Sequence, residues 1–78
     1  MIQEFQLPKL TETTDVLVLE QWLVGPGDSV EVGQTIATIE TDKVTMDLES
    51  PYAGTIAELR VEPDAEITTG DVVCTIET

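Results

Sequence analysis

A chain of 78 residues with 41% hydrophobic content builds one small domain, over 1–78, with a modest core; that size excludes a deep cleft between two lobes. Sixteen acidic residues against three basic ones give a formal net charge of −13, a field that repels nucleic-acid phosphates and anionic membrane surfaces and argues against both as partners. Histidine is absent and cysteine occurs once, which removes imidazole bases, His-ligated metals, an internal disulfide and Cys-rich zinc sites.

In chain order, the elements read as strands separated by turns. Valine, isoleucine and threonine dominate the apolar segments, and β-branched residues favour strands over helices. Strands are predicted over 2–7, 16–24, 29–32, 35–41, 44–50, 55–61, 66–68 and 72–77. Turn residues punctuate them: Gly25-Pro26-Gly27-Asp28, Gly33, Ser50-Pro51, Gly54, Pro63-Asp64 and Gly70. Alternation is clearest at Val44, Met46 and Leu48, with Thr45, Asp47 and Glu49 on the other face. Short strands with frequent turns predict an all-β sandwich or barrel. No run approaches the roughly 20 apolar residues of a membrane helix, and Met1-Ile2-Gln3-Glu4-Phe5 lacks the basic flank of a secretory signal. The expectation is a soluble, unsecreted chain in a reducing compartment.

An internal repeat sharpens this picture. Residues 22–41 and 59–78 align without a gap at an offset of 37, with identities at Val24/Val61, Pro26/Pro63, Gly33/Gly70, Thr38/Thr75, Ile39/Ile76, Glu40/Glu77 and Thr41/Thr78. At average residue usage, chance supplies about one or two such matches. The repeat predicts two similar halves packed about an approximate dyad. The dyad exchanges Thr41 with Thr78, so the segment after Thr41 and the C-terminus are expected at opposite ends of the body.

That segment holds Lys43, one of three cations with Lys9 and Arg60. It lies in Glu40-Thr41-Asp42-Lys43-Val44, between two strand candidates a couple of residues apart, which makes a hairpin tip. Without an Asn-Gly pair, a type I turn or a longer loop is expected rather than type I′. Composition alone leaves two readings open: a solubilising surface lysine, or an amine held out on rigid strands as a covalent attachment point.

Glu40-Thr41-Asp42-Lys43-Val44 resembles the lipoyl-attachment motif, Asp-Lys followed by Ala or Val. The resemblance to the lipoyl domains of 2-oxo acid dehydrogenase complexes covers nearly the whole chain. It runs from Leu7-Pro8-Lys9-Leu10 through Trp22-Leu23-Val24, Gly27-Asp28-Ser29-Val30, Gly33 and Ser50-Pro51-Tyr52-Ala53-Gly54-Thr55-Ile56 to Gly70-Asp71 and Ile76-Glu77. It implies a flattened β-barrel of two four-stranded sheets related by a pseudo-dyad. It also implies lipoate on Lys43, with Glu40, Asp42, Val44, Gly27 and Gly54 serving recognition by the lipoate-attaching enzyme. The implied partners are a thiamine-diphosphate-dependent 2-oxo acid dehydrogenase, an acyltransferase core and dihydrolipoamide dehydrogenase, the domain being a carrier and not itself an enzyme. Met1 suggests the N-terminal domain of a longer acyltransferase chain, in a bacterial or archaeal cytoplasm or, after loss of a transit peptide, the mitochondrial matrix.

Two alternatives remain. A biotinyl domain resembles this one in fold but flanks its lysine with methionines, whereas Asp42 and Val44 stand here. An unmodified β-sandwich interaction module explains the fold and acidity but not the Asp42-Lys43-Val44 context. The 10–15 segment departs from the family's glycine-containing loop, and its Glu12 and Asp15 are candidates for contact with a basic partner. Cys74, aligned with Ala37, and Trp22, aligned with Leu59, read as packing residues. Arg60 is expected to pair with a nearby carboxylate. The carboxylates show no calcium-loop spacing.

Overall fold

The computed structural model describes residues 1–10, 16–41 and 44–78. They form eight strands: β1 (Ile2–Gln6), β2 (Val16–Trp22), β3 (Ser29–Val30), β4 (Thr35–Glu40), β5 (Thr45–Glu49), β6 (Gly54–Leu59), β7 (Glu66–Thr68) and β8 (Val72–Glu77). Among the described residues there is no helix. The strands make two four-stranded sheets, ordered β1-β8-β6-β3 and β5-β4-β2-β7, with every pairing antiparallel. The all-β architecture of two four-stranded sheets is therefore as expected.

The core lies between the sheets and is almost wholly aliphatic. Leu17, Leu19, Ile36, Ile39 and Leu48 contribute from one sheet; Phe5, Val30, Ile56, Val73 and Ile76 contribute from the other. In β4 Ile36 and Ala37 are both buried, and in β8 Val73-Cys74 begin a run of four buried residues that Thr75 and Ile76 complete, which simple alternation does not anticipate. Register shifts at Ile36 and Val73 account for the doubled positions Ile36-Ala37 and Val73-Cys74: an extra residue in one strand turns a second side chain inward.

The internal repeat is matched by the pairing, residue for residue. Val18↔Glu40, Leu19↔Ile39, Gln21↔Thr38 and Trp22↔Ala37 recur as Thr55↔Glu77, Ile56↔Ile76, Glu58↔Thr75 and Leu59↔Cys74, each shifted by 37. The bulges recur as well, between Leu19 and Gln21 and between Ile56 and Glu58. So do the turns. Gly33 N–H donates to the Ser50 carbonyl and Gly70 N–H to that of Leu7, at 2.8 and 2.9 Å, both glycines having left-handed φ. The symmetry reaches further than the sequence match, taking in β2 from Leu17 and β6 from Gly54.

Strand ends differ from expectation at the turns. The strand predicted over 29–32 stops at Val30 because Glu31 and Gln34 close a turn, the Glu31 N–H donating to Gln34 Oε1 at 3.0 Å and the Gln34 N–H to the Glu31 carbonyl. Val44 and Ser50, expected within a strand, lie just outside β5 in turn hydrogen bonds. Trp22 ends β2, although the Leu23 N–H still donates to the Ile36 carbonyl at 2.8 Å.

Symmetry breaks at Gly54. Its dyad counterpart, Leu17, buries a full side chain, whereas a Cβ on Gly54 would penetrate the Glu77 backbone carbonyl. That obstacle is main chain in a paired strand and cannot swing aside. Gly54→Ala is expected to destabilise the domain by about 2–3 kcal/mol or more, read from urea denaturation. A parental midpoint would mean that β6 and β8 part more readily than their pairing implies.

Cys74 is fully buried and its position is matched across the dyad by buried Ala37. Burial pushes the Cys74 thiol up from 9.0 to about 11. The unfolded thiol ionises first, so this group's contribution to stability is complete below pH 9 and declines as pH rises from 9 toward 11. Native protein should resist thiol reagents that label the urea-unfolded chain at once. Cys74→Ala should cost only about 1 kcal/mol and flatten the alkaline decline in denaturation midpoint. Rapid labelling of the native protein would contradict this packing.

Candidate attachment site at the β4–β5 turn

The ladder between β4 and β5 is anchored inside by Ile39 and Leu48, both buried, and runs outward to a last pair, Glu40↔Thr45. Beyond it the chain stays closed. The Thr41 N–H donates to the Val44 carbonyl at 2.8 Å, and the Thr41 hydroxyl donates to the same carbonyl at 2.7 Å. In return, the Val44 N–H donates to Thr41 Oγ1 at 3.0 Å. Asp42 and Lys43 lie outside the described residues, and with them the expected turn type. What is fixed is the pair that brackets them.

Exposure rises steadily toward this turn. Along Val44, Met46 and Leu48 the side chains pass from 57% exposed through half-buried to buried, so the inward row ends where the core ends. The solvent face of this sheet is acidic. Glu20, Glu40, Asp47, Glu49 and Glu66 are exposed there, with no basic residue among the described residues of its four strands. The Thr38 hydroxyl donates to Glu20 Oε1 at 2.9 Å across that face.

Of the residues expected to guide modification, the structure brings Glu40 and Val44 to the turn and leaves Gly27 and Gly54 elsewhere. Gly54 pairs with Val30 in the other sheet, against Glu77. Gly27, with φ +93°, donates its N–H to the Ile56 carbonyl at 2.8 Å. Both positions thus have backbone reasons for glycine, the dyad mate of Gly27 being the left-handed Asp64. Glu12 and Asp15 lie outside the described residues.

Thr41 is the residue that sequence reasoning passed over. Its signal was available: a hydroxyl side chain at the first position of a four-residue turn, where Thr commonly bonds the local backbone. The other candidates take structural roles. Trp22 is partly buried against the core and donates Nε1–H to the Val61 carbonyl at 2.8 Å, and Arg60 pairs with Glu58. Lys9 is exposed after β1. No group of three His, Cys, Asp or Glu among the described residues is placed to hold a metal ion.

The dyad gives the turn a counterpart. Thr78 N–H donates to the Met1 carbonyl at 2.8 Å, as Thr41 N–H does to Val44, and Met1 N donates to the Thr78 carbonyl at 2.8 Å. The β4–β5 turn and the paired chain ends thus occupy symmetry-related places at the free ends of different sheets.

Comparison with known proteins agrees with this arrangement. A biotin–lipoyl family model, described as "Biotin-requiring enzyme", matches residues 3–76. The lipoamide acyltransferase component of the branched-chain alpha-keto acid dehydrogenase complex of Bacillus subtilis is 38% identical over 77 residues, spanning 99% of this chain and 18% of that protein. The dihydrolipoyllysine-residue acetyltransferase component of the pyruvate dehydrogenase complex of Corynebacterium glutamicum is 37% identical over 71 residues, 91% of this chain and 10% of that one. The chain therefore spans less than a fifth of these relatives. Among solved structures, the lipoyl domain of the 2-oxoglutarate dehydrogenase complex from Azotobacter vinelandii superposes with a TM-score of 0.76 at 25% identity, covering 96% of this chain and 95% of that one. The urea carboxylase of Kluyveromyces lactis, at 18% identity and a TM-score of 0.81 over 99% of this chain and 6% of that one, shares the fold. With the fold, the repeat and the bracketed turn in agreement, the chain belongs to the biotin–lipoyl attachment-domain family.

Proposed function

We propose that this domain carries lipoate in amide linkage to Lys43 and presents it in turn to the enzymes of a 2-oxo acid dehydrogenase complex. The observation that carries the reading is the turn itself: an antiparallel ladder, rooted in the core, that ends in the hydrogen-bonded Thr41–Val44 pair directly flanking Asp42 and Lys43 in sequence. Attachment needs an amine at an exposed place, and Glu40, Val44 and Thr45 are all exposed. In the covalent step the neutral Lys43 nitrogen bonds to the carbonyl carbon of an activated lipoyl group. The activating group departs with its electron pair, and the nitrogen gives up one proton.

Lipoate supplies a dithiolane that accepts an acyl group with reduction and is later reoxidised. The domain supplies tethering, which raises effective concentration at each partner site, and a surface for partners to read. A 2-oxo acid dehydrogenase that requires thiamine diphosphate, an acyltransferase core, dihydrolipoamide dehydrogenase and the lipoate-attaching enzyme are the partners in this reading. A longer acyltransferase chain, in a reducing cytoplasm or the mitochondrial matrix, is its setting.

Incubated with a lipoate-attaching enzyme, parent and Lys9→Arg protein should gain one lipoyl group by intact mass, and Lys43→Arg protein none. Lys43→Arg should keep stability within about 0.5 kcal/mol of the parent. Modification that persists in Lys43→Arg refutes the site, and streptavidin capture after treatment with biotin ligase would move the reading to biotin.

The 10–15 segment is the proposed contact for the dehydrogenase, through Glu12 and Asp15. Rim charges mainly set association rate and are screened by salt. Glu12→Gln with Asp15→Asn should slow reductive acylation of fully lipoylated protein at low ionic strength and have less effect at high. Equal rates at low salt would place recognition elsewhere.

A further inference from the structure

We propose that the Thr41 hydroxyl is a positioning residue for lipoyl attachment, tying Thr41 to Val44 so that the attaching enzyme meets one arrangement of the residues on either side of Asp42 and Lys43. This rests on the reading of Lys43 as the attachment point. The symmetry of the fold isolates what the hydroxyl contributes. At the dyad-related place the pair closes between main-chain groups: Met1 N donates to the Thr78 carbonyl, and Thr78 N–H to the Met1 carbonyl. At the turn one of those two partners has changed. The Thr41 N–H still reaches the Val44 carbonyl, but the Val44 N–H donates to Thr41 Oγ1. The same hydroxyl donates its proton to the Val44 carbonyl at 2.7 Å, against 3.2 Å for Thr78 Oγ1 to Met1. One side chain therefore satisfies both the donor and the acceptor of the residue that follows Lys43.

The arrangement suits a pair of residues that must stay joined at an exposed place. Val44 is 57% exposed and Thr45 and Glu40 are exposed, so little apolar burial holds the strands together here. Hydrogen bonds must supply the order instead. Removing the hydroxyl takes away two of the three hydrogen bonds described between Thr41 and Val44 and lets other arrangements of this pair compete. An enzyme that accepts only the joined arrangement then sees a smaller competent fraction, so its apparent affinity falls by that fraction while turnover of the bound domain is unchanged.

The test uses Thr41→Val and Thr41→Ala, which lack the hydroxyl, and Thr41→Ser, which keeps it. KM for the domain as substrate of the lipoate-attaching enzyme should rise about threefold to tenfold in the first two, with kcat retained, and should return toward the parental value in Thr41→Ser. Amide hydrogen exchange at Val44 should quicken in the same two variants and not in the serine variant, while melting temperatures stay near that of the parent. Equal KM across all four proteins overturns the proposal. So does a serine variant as impaired as the valine one, since that would assign the effect to the γ-methyl group. Failure of the underlying reading looks different: the parent protein itself then takes no lipoyl group at Lys43.

Discussion

The antiparallel pairing of β2 with β4, repeated as β6 with β8, is the constraint on which the rest depends. Leu19 faces Ile39 in one and Ile56 faces Ile76 in the other, and all four are buried. A slip of one residue in either ladder would turn an apolar row to solvent and carboxylates into the core. The bulges beside these pairs bend β2 and β6 at matching places. With the central pairs fixed, β5 and β1 add at one edge of each sheet and β7 and β3 at the other, and the β4–β5 turn falls beyond the core.

Much of the fold was legible because its periodicities are simple. The strand class follows from β-branched segments between turn residues, and β7 and β8 match their predicted bounds. The dyad was legible from the match of 22–41 with 59–78, although its extension through β2 and β6 was not. Leu17 and Gly54 occupy equivalent places with opposite needs, so there the sequences diverge while the backbones correspond. Paired bulges also escaped the reading, since a doubled buried position interrupts alternation without any residue type that announces it.

The site was legible in a different way. Glu40 and Val44 are where a hairpin reading puts them, because two strong strands so close in sequence leave few alternatives. Gly27 and Gly54 entered through family resemblance, and the structure accounts for both by backbone geometry at places away from the turn. A glycine favoured by a left-handed φ and one required by a neighbouring carbonyl look identical as letters. Thr41 was passed over for a different reason: threonine is common in strands, and only its place at the start of a short connection marks it as a residue that closes a turn.

The seclusion of Cys74 bears on the redox chemistry proposed for the domain. Cys74 is the chain's one thiol, and it lies at the centre of β8 with no exposed surface. Thiol–disulfide exchange needs a thiolate with access to a sulfur atom, and burial withholds both access and ionisation. A reachable thiol on the same protein would attack a tethered cyclic disulfide intramolecularly and divert it into a mixed disulfide. With its own sulfur walled into the sheet, the domain offers no such trap, so electrons on the proposed arm would be left to pass to partner enzymes.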